Sequence, residues 1–389
     1  AAGHLEVHLD GSPVLDTDLA PDGTSLGAAL FQRPTAAAEV DAVAGAAFDI
    51  TVRIHLPEVC RISRIAAITI GVEAATWSAA EGIATEGIAA AAASARAAEV
   101  AVVVVGTTPQ LESEGFDRTG LALPGAQDDL VRAVAAANPR TVVVVNSGGP
   151  VTMPWRDEVA AVLLGWFGGQ EFGHALADVL LGHTEPGGRL PTTWPATEAD
   201  VPVLSTTPEN GLLRYEEGIH IGYRAWLRAG HQPAYPFGHG LGYTTWDVTD
   251  LKIDTATATD TDTAIETATD TATETAGLGQ PVPVTFTARN TGQRAGRQVF
   301  QAYLSKEEST VDRPVRWLAG FAAVRAEPDS RHQVRLTLPA RAFAHWDAGW
   351  HTEPGHYTLR IGTDAEHLPL AARISVGHGA AGGATPRAG

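Results

Sequence analysis

This chain of 389 residues has one cysteine, Cys60, and one methionine, Met153. A lone cysteine excludes an intrachain disulfide framework and any cysteine-based zinc or iron–sulfur site. Basic residues are scarce as well: 27 Lys and Arg face 45 Asp and Glu, leaving a net charge of −18. A field of that sign repels phosphate backbones, so no nucleic-acid partner is expected. Long apolar runs are missing too. The longest, such as Ala101–Val105 and Ala160–Leu164, fall far short of a bilayer's thickness, so no membrane partner is expected either. No basic stretch followed by an apolar one opens the chain, which points to a cytoplasmic location. Also absent are Gly-x-Gly-x-x-Gly after a strand, Gly-x-x-x-x-Gly-Lys-Ser/Thr, His-Glu-x-x-His and the hydrolase elbow Gly-x-Ser-x-Gly.

What is present reads as two or three domains with ample apolar residues for real cores. Up to about residue 75 the chain reads as β structure. Leu5–Leu9 alternates apolar and polar, Asp10-Gly11 is a hairpin turn, Val14-Leu15 restarts a strand, and Ala47–Ile54 and Ile65–Val72 alternate again. An alternating face of that length calls for a second sheet above it, hence part of a β-sandwich. The texture then changes. Gly87–Ala98 is Ala-rich and helical, and Val100–Val105 looks like a strand buried on both faces. Gly125–Asn138 forms a helix whose face carries Leu130, Val134 and Ala137, with Asp128 and Asp129 in its first turn. Thr141–Val145 and Val159–Gly165 are further buried strands, and Glu171–Leu181 is a helix that Gly182 ends. That order implies parallel βαβ units.

From about Pro236 the pattern becomes all-β. Strands at Val282–Arg289, Val299–Leu304, Val334–Leu338 and Tyr357–Gly362 suggest an immunoglobulin-like sandwich. Asp254–Ala276 holds almost only Thr, Ala, Asp and Glu, and is read as an extended loop insertion. The Gly- and Ala-rich end, 379–389, is read as a disordered tail.

Chemistry concentrates in the loop after Val100–Val105, the carboxyl end of a strand, where open α/β sheets bind ligands. It is long, and it carries Glu112, Glu114 and Asp117. Glycoside hydrolysis needs a carboxylic acid to protonate the leaving oxygen and a second carboxylate across the scissile bond, and all three are candidates. Asp117 beside Arg118 is positioned to hold the loop's shape. Ser147 in Asn146-Ser147-Gly148-Gly149 has the wrong spacing for an elbow; a strand-end turn is the plain reading and a serine esterase the distant rival. His4 and His8 read as surface histidines.

Glu112-Ser-Glu-Gly-Phe-Asp-Arg118, Leu121-x-Leu-Pro124-Gly125 and Asn146-Ser-Gly-Gly-Pro150 resemble glycoside hydrolase family 3. So do Met153-Pro-Trp155, Pro186-Gly-Gly-Arg189-Leu-Pro191, Ile221-Gly-Tyr-Arg224 and Tyr235-Pro-Phe-Gly238-His-Gly-Leu-Gly-Tyr243, in order over roughly residues 75–375. The resemblance implies an α/β plus all-β chain. Residues 1–75 would be the C-terminal half of a protective-antigen-like β-sandwich insert, and 76–235 an α/β sandwich with a mainly parallel sheet. Residues 236–378 would be a fibronectin type III-like β-sandwich carrying the acidic insertion 254–276.

The same resemblance implies a retaining, exo-acting β-glucosidase-like enzyme without metal or cofactor. Its general acid/base would be Glu114, supported by Glu112, Asp117 and Arg118, and Phe31 would wall the sugar site. Trp155, Trp166 and Tyr223 would be packing residues. The family's nucleophile sits on an N-terminal (β/α)8 barrel, which needs ~250 residues and is absent here. The chain therefore resembles the C-terminal portion of such an enzyme, inactive alone, with a β-linked glycoside as substrate and a separate barrel-containing polypeptide as a candidate partner. A non-catalytic carbohydrate-binding or structural remnant is the alternative.

Overall fold

Two left-handed residues, Asp10 (φ 48°) and Gly11 (φ 79°), turn the N-terminal chain back on itself, the backbone that an Asp-Gly pair adopts most readily. They join β1 (Gly3–Leu9) to β2 (Ser12–Leu19), and β3 (Ile50–His55) pairs on β1's other side, giving the order β2-β1-β3, all antiparallel. His4 and His8 lie among carboxylates on this sheet. His4 contacts Asp16 and Asp18 at 3.0 and 2.8 Å, and the hydrogen bond with Asp18 holds its pKa above the ordinary imidazole value. The computed structural model describes residues 3–19, 36, 38, 40, 49–55, 85–108, 111–113, 118–203, 207–253, 273–276 and 280–377. The Ile65–Val72 strand, Phe31, Glu114, Asp117 and the 379–389 tail lie outside them.

The βαβ reading holds. Helix α1 (Thr85–Ala97), strand β4 (Ala101–Gly106), helix α2 (Gln127–Ala137), strand β5 (Thr141–Asn146) and strand β6 (Ala161–Leu164) follow in sequence, and the three strands form a parallel sheet in the order β4-β5-β6. Asn138 ends α2 and ties it to α1. Its side-chain amide donates to the carbonyls of Ala95 and Ala98 at 2.9 and 3.0 Å, and its N–H closes the last helical bond on Val134.

Two expectations fail here. β4 is not buried on both faces: Val103 and Val105 are 7% and 3% exposed, but Val102 and Val104 are 48% and 58% exposed. Among the described strands β4 lies at the sheet edge, and its apolar run is covered on one face only. β6, also at an edge, holds no buried residue, where a buried strand was expected. Helix α2 turns Val131 and Val134 into the core, whereas Leu130 and Ala137 are only half-buried.

The chain divides into two compact units, residues 1–149 with 153–167, and 150–152 with 168–389. The second begins with α3 (Phe172–Leu180), stopped at Gly182 (φ 75°), and α4 (Tyr223–Ala229), stopped by Gly230 in the left-handed region. Then come β7 (Trp246–Ile253), β8 (Thr273–Ala276), β9 (Val282–Asn290), β10 (Gly296–Ser305), β11 (Trp317–Ala326) and β12 (Arg331–Leu338). β13 (Ala344–Trp346) and β14 (Trp350–Thr352) make a separate hairpin; β15 (Gly355–Gly362) and β16 (Leu370–Val376) complete the set. One sheet runs β11-β10-β15-β16-β8 and its partner β12-β9-β7.

Their inner faces meet on a core that includes Val284, Phe286, Phe300, Leu304, Leu338, Tyr357, Leu359, Ile361 and Ile374, each 0–1% exposed. This is the immunoglobulin-like sandwich the strand spacing called for. One part of the acidic segment departs from the loop reading. Thr273–Ala276 pairs parallel with β16, because a free sheet edge accepts any extended backbone whatever its side chains.

Candidate active-site loop

Strand β4 ends at Gly106, where no side chain fits: a Cβ there would collide with the Asn146 carbonyl at the end of β5. Gln127, the first residue of α2, locks this junction. Its carbonyl oxygen accepts the Gly106 N–H at 2.7 Å, and its amide donates to the carbonyls of Gly106 and Pro124 at 3.0 Å each. The long loop thus leaves and re-enters the fold through one glutamine. That role was not read in the sequence, because a bridging amide has no spacing signature.

Within the loop, Glu112 is tied at both oxygens. Arg118 donates to Oε1 at 2.9 Å, and the Gly148 N–H donates to Oε2 at 2.8 Å. Glu112 and Arg118 are 13% and 17% exposed, so the pair sits largely out of water, where a charge-assisted bond strengthens. Gly148 is required for this approach: a Cβ would stand 2.7 Å from Glu112 Oε2 and 2.8 Å from the Phe167 ring. The loop after β4 is therefore fastened onto the turn after β5, and the fastening brackets residues 113–117.

The other expected residues divide. Glu112 and Arg118 come together in the loop. Glu114, Asp117 and Phe31 lie outside the described residues. Ser147 is buried, and its hydroxyl donates to the Gly149 carbonyl at 2.9 Å, a turn role with no exposed oxygen to attack a substrate. Trp155 is fully buried with its indole N–H on Asp128 at 2.7 Å. Tyr223 stacks on Phe237 at 4.9 Å, and its hydroxyl accepts the Leu318 N–H. Trp166 is half-buried at φ 55°.

Residues 22–243 match the Glycosyl hydrolase family 3 C-terminal domain, and residues 298–365 a Fibronectin type III-like domain. The chain belongs to glycosyl hydrolase family 3. It is 36% identical over 300 residues to thermostable beta-glucosidase B of Acetivibrio thermocellus, covering 76% of this chain and 37% of the relative. It is 37% identical over 276 residues to probable beta-glucosidase I of Aspergillus terreus, covering 69% of this chain and 31% of that one. The crystal structure of Kluyveromyces marxianus beta-glucosidase in complex with glucose superposes with a TM-score of 0.74 at 29% identity, over 97% of this chain and 42% of that one. Coverage that complete takes in the N-terminal strands. The family 3 chain described here thus spans about a third of the length of the curated relatives it matches. Among its described residues no helix is long and apolar enough to cross a membrane.

Proposed function

We propose that this family 3 chain supplies the acid/base half of a retaining, exo-acting β-glycosidase, with Glu114 as the proton donor. The supporting observation is the double anchoring of Glu112 by Arg118 and the Gly148 backbone. It spends the loop's other glutamate on structure and fixes both flanks of the short segment that holds Glu114. Asp117 helps to shape that segment, and Phe31 walls the sugar. The names of the relatives favour a terminal β-linked glucoside as substrate.

A retaining mechanism needs two carboxyl groups ~5–5.5 Å apart across the anomeric carbon, one of which forms the glycosyl-enzyme. The described residues form no barrel to present the second, and in this reading the nucleophile sits on a barrel outside these 389 residues. The protein alone should then leave aryl β-glucosides unhydrolysed above background. Fusing it behind the N-terminal portion of the K. marxianus enzyme should give turnover. In that fusion Glu114→Gln should remove a factor of about 10²–10⁴ for poor leaving groups and less for activated aryl glycosides. Glu112→Gln should cost far less. Robust turnover by the unassisted chain would contradict the divided-site reading, and equal losses from the two substitutions would contradict the assignment of Glu114.

A further inference from the structure

Of the tryptophans among the described residues, six are buried or half-buried and two are exposed, and those two face each other. Trp346 and Trp350 are 63% and 49% exposed. They close the β13–β14 hairpin, directly opposed across its three-residue turn, with ring centroids 5.2 Å apart and planes inclined at 64°. Among the described residues the hairpin pairs with no other strand. On its opposite face His345 meets the Arg313 guanidinium at 3.2 Å, and the exposed His351 ring lies 3.0 Å from the Asp347 carbonyl of the hairpin's own turn.

The indole face is furnished differently. The Arg341 guanidinium lies 3.4 Å over the Trp350 ring, covering one side of it. The Trp346 ring is 63% exposed, and the next residue, Asp347, is exposed as well. A cross-strand aromatic pair steadies a hairpin, which accounts for the pairing. It does not account for leaving the largest apolar side chains of the set in water.

We propose that Trp346, Trp350 and Arg341 form a carbohydrate-binding platform for β-linked glucan. An indole face carries negative quadrupole charge and attracts the axial C–H hydrogens of a pyranose. In a β-linked glucose unit every hydroxyl is equatorial, so both ring faces are bare C–H and the rim is polar. Such a unit stacks on Trp346, meets the inclined Trp350 at its edge, and offers its hydroxyls to Arg341 and Asp347. Size also selects this occupant. Two indoles of ~150–250 Å² each, partly exposed, give a patch of a few hundred Å², well below the ~800 Å² per partner of a stable protein interface. The net charge of −18 argues against a nucleic acid stacking there. The proposal rests on the β-glycosidase reading only for its choice of sugar.

Native electrophoresis of the intact chain through gels containing barley mixed-linkage β-glucan tests it, with dextran, an α-glucan, as the comparison. The chain should be retarded by β-glucan and run freely in dextran. Trp346→Ala should weaken apparent binding roughly tenfold or more, whereas Phe321→Ala, removing a 66%-exposed ring elsewhere in the same sandwich, should change nothing. No retardation, retardation unaltered by Trp346→Ala, or equal retardation in dextran overturns the proposal. Should Trp346→Ala fail to fold, Trp346→Phe decides: the tryptophan fluorescence change on adding glucan must shrink, and an undiminished change overturns the idea. Retardation needs no turnover. A chain that binds glucan but gives no active fusion defeats only the glycosidase reading, and an active fusion without retardation defeats only this one.

Discussion

Strands β4 and β10 are both written in apolar residues, and they meet opposite fates. In β10 Phe300, Ala302, Tyr303 and Leu304 are all 0% exposed, because the strand lies between β11 and β15 and under a second sheet. In β4 every second valine faces out. Fully burying a valine stabilises a fold by ~1.5–3 kcal/mol; Val102 and Val104 forgo much of that among the described residues. An apolar run specifies a strand that should be covered, and cannot itself supply the cover. The sandwich closes its own core, whereas the outer face of β4 is uncovered among the described residues.

The sharpest way to test this contrast is to remove one large side chain from each strand. Phe300, packed edge-to-face on Phe286 and Trp246 at 5.4 and 5.9 Å, should lose about 3–5 kcal/mol as Phe300→Ala. Val104→Ala should stay within about 0.5 kcal/mol. Urea denaturation followed by tryptophan fluorescence reads both, and a costly Val104→Ala would mean that the outer face of β4 is covered after all.

Next in size is Glu353, inside the sandwich. Burial alone would raise its pKa from 4.5. The Thr310 N–H at 2.6 Å, the hydroxyls of Ser309 and Thr310, and the Lys306 charge outweigh that and hold it down to about 2. A folded pKa below the unfolded one gives stability that is complete above about pH 4.5 and is lost as pH falls toward 2. The amount is roughly 3 kcal/mol at 1.36 kcal/mol per unit. Acid unfolding of Glu353→Gln should therefore be flatter over that window than the unsubstituted protein's; parallel curves would remove Glu353 from the account.

A smaller effect is expected at Trp155→Phe, which leaves the Asp128 carboxylate without its indole donor in the parallel-sheet unit. The loss should be about 1–2 kcal/mol, read as a lower denaturation midpoint with unchanged slope. Smallest in stability is Val102→Lys with Val104→Lys. It should leave the midpoint in place while shifting the protein toward monomer in size-exclusion chromatography, since charge on an open edge strand discourages pairing. A monomer before substitution and after would show that the open face recruits nothing.

Much of this architecture was legible because the signals were local. The valine runs marked the parallel strands, Asp10-Gly11 the hairpin, and Asn138 the end of α2. Strand β11, WLAGFAAVRA, was missed because its alanines and glycine dilute the alternation, and α4 because seven residues between two glycines carry too little periodicity. At the candidate site, Glu112 was legible as a carboxylate in a strand-end loop. Its partner Gly148 lies 36 residues away, a distance that only the pairing of β4 with β5 closes. Gln127 was silent because a bridging amide has no spacing signature.

The pairing of β8 with β16 sets a timetable for biosynthesis. Thr273 lies opposite Arg373, so the edge strand is translated about a hundred residues before its neighbour exists. At ~5–20 residues per second the nascent chain carries that strand unpaired for several seconds or more. Ile374 and Val376, buried in the sandwich core, arrive with the same final strand. A chain cut short before Leu370 would leave that sandwich with an open seam.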